Sequence, residues 1–147
     1  MESEILKDLI RINNDRIAGY RKSLDQLGSG QDDLRAVFSD MIQESEQHVA
    51  ELSREAGENP VEDTTTGGKL YRAWSELRGL FSGKDRNSIL ESCESTEDAA
   101  LKAYEDALGP EGDMTNRTRN VIVVQQIALK GALEKIKALR LRERNTG

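Results

Sequence analysis

The chain has 147 residues, a formal net charge of −6, one Cys and two Pro, with 33% of residues charged and 4% aromatic. A chain of this length can bury ~68–70% of the surface its unfolded form exposes, so it needs no disulfide or metal to hold a core. An acidic balance argues against nucleic acid as the main partner, no stretch approaches the ~18 apolar residues of a membrane span, and Cys93, standing alone, cannot form an intramolecular disulfide.

The composition, rich in Ala, Glu, Lys, Leu and Arg, favours helices over sheets. A first helix is expected over residues 3–27, where Leu6, Ile10, Ile17, Tyr20, Leu24 and Leu27 follow helical spacing. GSG at 28–30 ends it, with Gly28 placed for a left-handed C-cap. Ser29 followed by Asp32 resembles a capping box with Asp in place of Glu. The second helix is expected over 31–56, on the stripe Leu34, Phe38, Met41, Ser45, His48 and Leu52, with Gly57 and Pro60 as its stop. GENPVEDTTTGG (57–68) lacks periodicity and reads as extended chain.

A shorter helix over 66–82 gathers Leu70, Trp74, Leu77 and Phe81 on one narrow face. SGKDRNS then breaks the chain, Gly83 suiting a C-cap and Asp85 or Asn87 an N-cap. A long helix follows to 108, with Leu90, Cys93, Leu101, Tyr104 and Leu108 on its stripe, Cys93 reading as a buried thiol that acts as a small apolar group. After GPEGD (109–113), Asp113 or Thr115 caps a last helix to about residue 142 on Ile122, Gln126, Leu129, Leu133 and Ile136. Lys130, Lys135, Lys137, Arg140, Arg142 and Arg144 crowd its C-terminal half, where the helix dipole favours cations.

Matched long helices with one-sided stripes indicate an all-α fold, a four-helix bundle occupying residues 1–147 as a single domain. The connections after the first and third long helices are short, so those pairs should run antiparallel. The connection between the second and third is long enough to traverse the bundle and carries the extra short helix, which makes a ferritin-like arrangement with one long crossover the expected topology. A simple up-down bundle with a decorated loop is the alternative.

Each long helix carries a polar interruption in its stripe near its midpoint. These are Asn13 on the first; Ser45 and His48 on the second; Glu97, with Glu94 one turn away, on the third; and Gln126, beside Gln125, on the fourth. Helices of equal length superpose their midpoints, so these residues, with Tyr20, should meet in one buried polar layer, because an unpaired buried polar group costs ~1–3 kcal/mol. Ferritin-like dimetal proteins need a Glu on each of two helices and Glu-x-x-His on each of the other two. Here Ser45-x-x-His48 and Gln126-x-x-Leu129 stand in those places, too few ligands for two irons. A single Fe, Mn or Zn ion on His48, Glu94 and Glu97 is the reduced alternative to a layer that holds no cofactor.

Three segments carry a family resemblance: LIRINNDRIAGY (9–20), GGKLYRAWSELRGLFSGKDRNSILESCESTEDAALKAYEDAL (67–108) and KIKALR (135–140). On these the chain resembles a bacterial family of small ferritin-like four-helix-bundle proteins catalogued as a domain of unknown function, and with the intervening spacing the resemblance covers nearly the whole chain. It implies the ferritin-like topology and a bacterial cytoplasmic protein, and it implies no activity. Members of the family often carry a His near the position of Leu133, which counts against a metal here. The opening MESEILKDLIRINN, with no basic start before an apolar core, does not read as a secretory signal and agrees with a cytoplasmic location.

The sequence shows no nucleophile–base arrangement and no Gly-rich phosphate loop. It therefore reads as a non-catalytic, stress-associated bundle acting by partner or self-association, a homodimer being one form. Tyr71, the basic end of the last helix and the 57–66 linker are the candidate contact surfaces, with no nucleic acid and no membrane as partner. The alternative is a metal-binding or redox protein built on the central layer.

Overall fold

The computed structural model describes residues 2–57, 68–77, 85–109 and 114–146. These residues form five helices: α1 (Glu2–Gln26), α2 (Asp32–Ala56), α3 (Lys69–Leu77), α4 (Arg86–Ala107) and α5 (Asn116–Thr146). The expected apolar stripes face inward. Leu6, Leu34, Phe38, Leu52, Leu90, Ile122, Leu129 and Ile136 are all buried. Trp74 of α3 joins them. Among the described residues no helix is long and apolar enough to cross a membrane.

Side-chain bonds between helices fix their directions. His48 meets Asn13 and Arg35 reaches Leu27, so α2 runs antiparallel to α1. Tyr104 meets Asn13 and Glu97 meets Arg16, so α4 is antiparallel to α1. Tyr104 meets Gln125 and Glu94 meets Arg140, so α5 is antiparallel to α4. Gln125 and Arg117 meet Glu51 and Glu55, so α5 is antiparallel to α2 as well. The four long helices form a closed ring of antiparallel neighbours, consistent with a four-helix bundle, in which α2 and α4 run the same way. Their starts are clamped together by Arg86, which grips Asp33 through two bonds of 2.6 and 3.0 Å.

The helix ends show which local signals prevailed. Gly57 caps α2 at φ 72°, its N–H reaching the carbonyls of Ser53 and Arg54, as its position in the sequence indicates. Between α1 and α2 the left-handed residue is Gly30, at φ 86°, not Gly28. The expected Ser29–Asp32 capping box is absent. Gln31 is the N-cap of α2 and makes no side-chain cap bond, because the left-handed turn at Gly30 places the helix start two residues beyond Ser29. Asp85 does cap α4, its carboxylate accepting from the Ser88 N–H at 2.8 Å while the Ser88 hydroxyl accepts from the Asp85 N–H. Thr115 caps α5 through the Thr118 N–H. Pro60, Gly83, Asp113, Phe81 and most of the 57–68 linker lie outside the described residues.

α3 is held by two acids of α1 that the apolar stripes do not reveal. Asp8, buried among these helices, accepts from the Gly68 N–H at 2.8 Å and the Tyr71 N–H at 3.2 Å, and so caps α3 from a neighbouring helix. A Cβ at Gly68 would fall 2.6 Å from an Asp8 oxygen, so the approach depends on glycine. Two turns along α1, Asp15 accepts from both the Tyr71 hydroxyl at 2.9 Å and the Trp74 indole N–H at 3.0 Å. Tyr71 is half-buried, and its hydroxyl is engaged within the chain. α3 starts beside Asp8 and runs along α1 past Asp15 in the direction of the α4 start.

Candidate functional site

The centre of the ring is polar on two levels. At the first, a hydrogen-bonded belt visits all four long helices. His48 Nδ1–H of α2 donates to Asn13 Oδ1 of α1 at 3.3 Å, an assignment fixed by Asn13 Nδ2, which donates to the Leu9 carbonyl and to the Tyr104 hydroxyl. The Tyr104 hydroxyl of α4 donates to Gln125 Oε1 of α5 at 2.6 Å, and Gln125 Nε2 donates back to Glu51 of α2 at 3.0 Å. Every donor in the belt finds an acceptor, which removes the desolvation penalty that any one of these groups would carry alone.

The second level lies about two helical turns away on α4, seven residues at ~1.5 Å each. Arg16 of α1 is fully buried and donates to Glu97 Oε1 through Nη2 at 2.8 Å and Nε at 3.3 Å. The Tyr20 hydroxyl donates to the same oxygen. Glu97 is also fully buried, and its second oxygen, Oε2, has no hydrogen-bond partner among the described residues. Arg16 further approaches Glu44 of α2 at 3.6 Å, and its Nη1 donates to Asn13 Oδ1 at 3.3 Å, joining the two levels. The guanidinium sits 6.0 Å from the centre of the Tyr20 ring.

The electrostatics follow from this packing. Burial is the largest single influence on Arg16 and would lower its pKa, but the Glu97 charge, Tyr20, the hydrogen bond to Glu97 and the Glu44 charge together outweigh it and hold the guanidinium more firmly protonated than in water. Burial, then the Glu97 charge, pushes the Tyr20 hydroxyl well above its ordinary pKa. Burial also raises Glu44, with Glu97 adding to it and Arg16 opposing. The Cys93 thiol is pushed up to about 12, first by burial and then by Glu97, which keeps it from acting as a thiolate nucleophile. His48 falls to about 3, mainly through burial and secondarily through Arg16.

The His48 shift makes a pH prediction. Unfolded, a histidine takes its proton near pH 6.5; folded, His48 resists until about pH 3. Its contribution is fully present above the unfolded pKa and is lost as pH falls from 6.5 toward 3. In this window the excess slope approaches ~1.4 kcal/mol per pH unit. His48→Asn, whose amide N–H can still reach Asn13, should flatten the pH dependence of urea unfolding below pH 6.5. Parallel slopes for the two proteins would show that His48 is not held neutral.

The expected layer residues are found in different roles. Asn13, His48, Tyr20 and Glu97 lie at the centre, but on two levels rather than one. Ser45 is buried and donates to the Met41 carbonyl of its own helix at 2.9 Å, outside the network. Gln126 is only partly buried and outside the network; Gln125 takes its place. Both residues are compatible with a helical stripe through Ile122 and Leu129, one at i+3 and one at i+4, and the rotation of α5 selects the former. Glu94 pairs with Arg140 near the other end of α5, at the edge of the fold. The stripe places Tyr104 inward but as an apolar member, and it does not single out Arg16, Glu44 or Glu51. Arg16 lies three residues after Asn13 and four before Tyr20, so helical spacing places it on the same face, but a lone arginine in a charged sequence ordinarily reads as surface.

These positions test the metal candidates. His48, Glu94 and Glu97 are each committed to a different partner, and among the described residues no group of three or more His, Cys, Asp or Glu is placed to hold a metal ion. The carboxylates of the second level converge on a guanidinium. That donor set does not fit a metal at the centre.

A family model described as a domain of unknown function, DUF2383, matches residues 1–110. The chain belongs to that family. The DUF2383 match takes in α1 through α4 and stops before α5, so it is shorter than the near-complete coverage expected from the sequence. Asn13, Arg16, Tyr20, His48, Glu97 and Tyr104 lie inside it, whereas Gln125, which closes the belt, lies beyond it. Neither a curated protein nor a solved structure matches the chain.

Proposed function

We propose that this DUF2383 protein is a ferritin-like, non-catalytic bundle that works by binding a partner protein, in the cytoplasm of a bacterium, with residues 1–147 as one domain. The topology is supported by the helix directions. α1 and α5 run one way, α2 and α4 the other, and α3 lies on the connection between the parallel pair, which is the order of a bundle with a single long crossover.

One observation carries the functional part. The Arg16 guanidinium is fully buried between Glu97 at 2.8 Å and Glu44 at 3.6 Å, so a cation belonging to the chain itself occupies the carboxylate cluster at the centre of the helices. Around it His48 is held neutral and Cys93 is kept as a thiol, which suits a sealed structural layer better than acid–base or redox chemistry. Activity by association then rests on the surface.

Elemental analysis of protein purified without chelators tests this reading. Fe, Mn and Zn should each stay below about 0.1 equivalent, and added metal should not shift the unfolding midpoint. Near-stoichiometric metal that disappears in His48→Ala would overturn the sealed layer and favour the metal-binding alternative.

A further inference from the structure

We infer that the outward face of α5 is a docking surface for an amphipathic helix of another protein, one with a heptad-spaced apolar seam flanked by acidic residues. The inference rests on the partner-binding reading above and names the surface and the chemistry of the partner.

Among the described residues the exposed large hydrophobics are Val124, Ile127 and Leu141, at 63%, 63% and 58% exposure, and all three lie on α5. They fall on one line. Val124, Ile127, Gly131, Glu134, Ala138 and Leu141 alternate spacings of three and four, the 3.5-residue period of a helix–helix seam, with Glu134 the one polar member. The inward stripe of Ile122, Gln125, Leu129, Leu133 and Ile136 lies on the opposite side. α5 therefore carries two seams, and the described residues pack on one of them.

Gly131 sharpens the point. A glycine in the middle of a helix costs ~1 kcal/mol relative to alanine. A Cβ at Gly131 would meet nothing within 4 Å among the described residues, so no contact among them calls for glycine there. A second helix crossing close over that position would.

Charge selects the occupant. Lys130 and Lys137 border the seam on one side, Lys135 and Arg142 on the other, all exposed. Residues 116–147 carry eight Lys and Arg against two Glu, net +6, whereas residues 1–115 carry thirteen against twenty-five Asp and Glu, net −12. A second copy is a poor occupant. Seam against seam would bring basic flanks onto basic flanks, and no other described surface of the copy exposes a large apolar side chain. A lipid surface is also disfavoured, since the seam holds Glu134 at its centre, has small residues on either side of it and offers no aromatic to insert. A helix with an Ile/Leu seam and Glu flanks satisfies both the apolar line and its basic borders.

The test uses a fluorescein-labelled four-heptad peptide with Ile and Leu on its seam and Glu at the flanking positions, and a twin with Lys at those positions, titrated with the full chain by anisotropy. The Glu peptide should bind at least about tenfold tighter than its twin, and binding should weaken as salt rises. Ile127→Glu should reduce affinity about tenfold or more with an unchanged unfolding midpoint, because the side chain is exposed. Lys130→Glu combined with Lys137→Glu should move the preference toward the Lys twin. Equal binding of the two peptides, or no loss in Ile127→Glu, would overturn the proposal. So would a dimer that Ile127→Glu dissolves in sedimentation, or binding to phosphatidylserine vesicles that the Glu peptide does not compete away. Metal content is indifferent to this experiment, so the sealed layer and the docking face stand or fall separately.

Discussion

Replacing Arg16 with methionine should lower the unfolding free energy by about 3–5 kcal/mol, a large share of the ~5–15 kcal/mol that holds a domain folded. The methionine fills much of the arginine's volume, so little of the loss comes from packing. The loss comes from Glu97, which keeps its fully buried carboxylate and loses the bonds from Nη2 and Nε. Tyr20 remains as its only named donor at Oε1. Glu44 loses its cation as well, but it is partly exposed and can turn to water. Asn13 loses one donor at Oδ1 and keeps His48. Chemical denaturation followed by circular dichroism measures the change through the midpoint at constant slope. A loss below about 1 kcal/mol would mean that Glu97 is solvated and the guanidinium dispensable.

Trp74→Ala should be nearly as costly, by about 3–5 kcal/mol. Trp74 is 1% exposed and is the largest side chain joining α3 to the rest of the fold, packing with α1 and α4 neighbours. α3 has nine residues, too few to stay helical alone, so its order depends on docking. Truncation removes the indole volume and strips Asp15 of the indole N–H donor. Trp74→Phe separates the two effects. It keeps most of the apolar area and loses the N–H bond, and it should cost closer to ~1–2 kcal/mol. Hydrogen exchange in the alanine variant should show α3 amides losing protection while the centres of α1 and α4 retain theirs. Uniform loss across all the helices would show instead that α3 is integral to the cooperative core.

The fold was legible because it depends on periodicity. Leu34, Phe38, Met41, His48 and Leu52 face inward on α2 as their spacing requires, and the capping signals at Gly57, Asp85 and Thr115 act where they stand. The turn between α1 and α2 was harder, because GSG offers two glycines and the choice between Gly28 and Gly30 rests on how the two helices meet. The inward polar residues were legible as interruptions, which is why Asn13, His48 and Glu97 stand out. Their level was not. Midpoint alignment treats each helix as one mark, whereas the register of α4 puts Tyr104, not Glu97, opposite Asn13, His48 and Gln125. Gln125 and Gln126 differ by about 100° around the axis, and only the packing of α5 against α2 and α4 resolves them.

Arg16 is the least legible of the central residues. A long cationic side chain in a sequence that is one-third charged carries no sign of burial, since its location depends on an acid 81 positions away in the chain. Asp8 and Asp15 were hidden for the same reason. Their partners, Gly68, Tyr71 and Trp74, lie across a connection, and local patterning holds no information about such pairs.

The convergence of charged and polar side chains from separate helices is most directly measured by a double-mutant cycle on Arg16 and Glu97, using Arg16→Met, Glu97→Leu and the pair, each in a Tyr20→Phe background so that no hydroxyl is stranded. If the two groups compensate one another in the interior, the double variant should recover much of what either single variant loses, giving a coupling of about 2–3 kcal/mol. Losses that add to within ~0.5 kcal/mol would show that the two side chains do not meet.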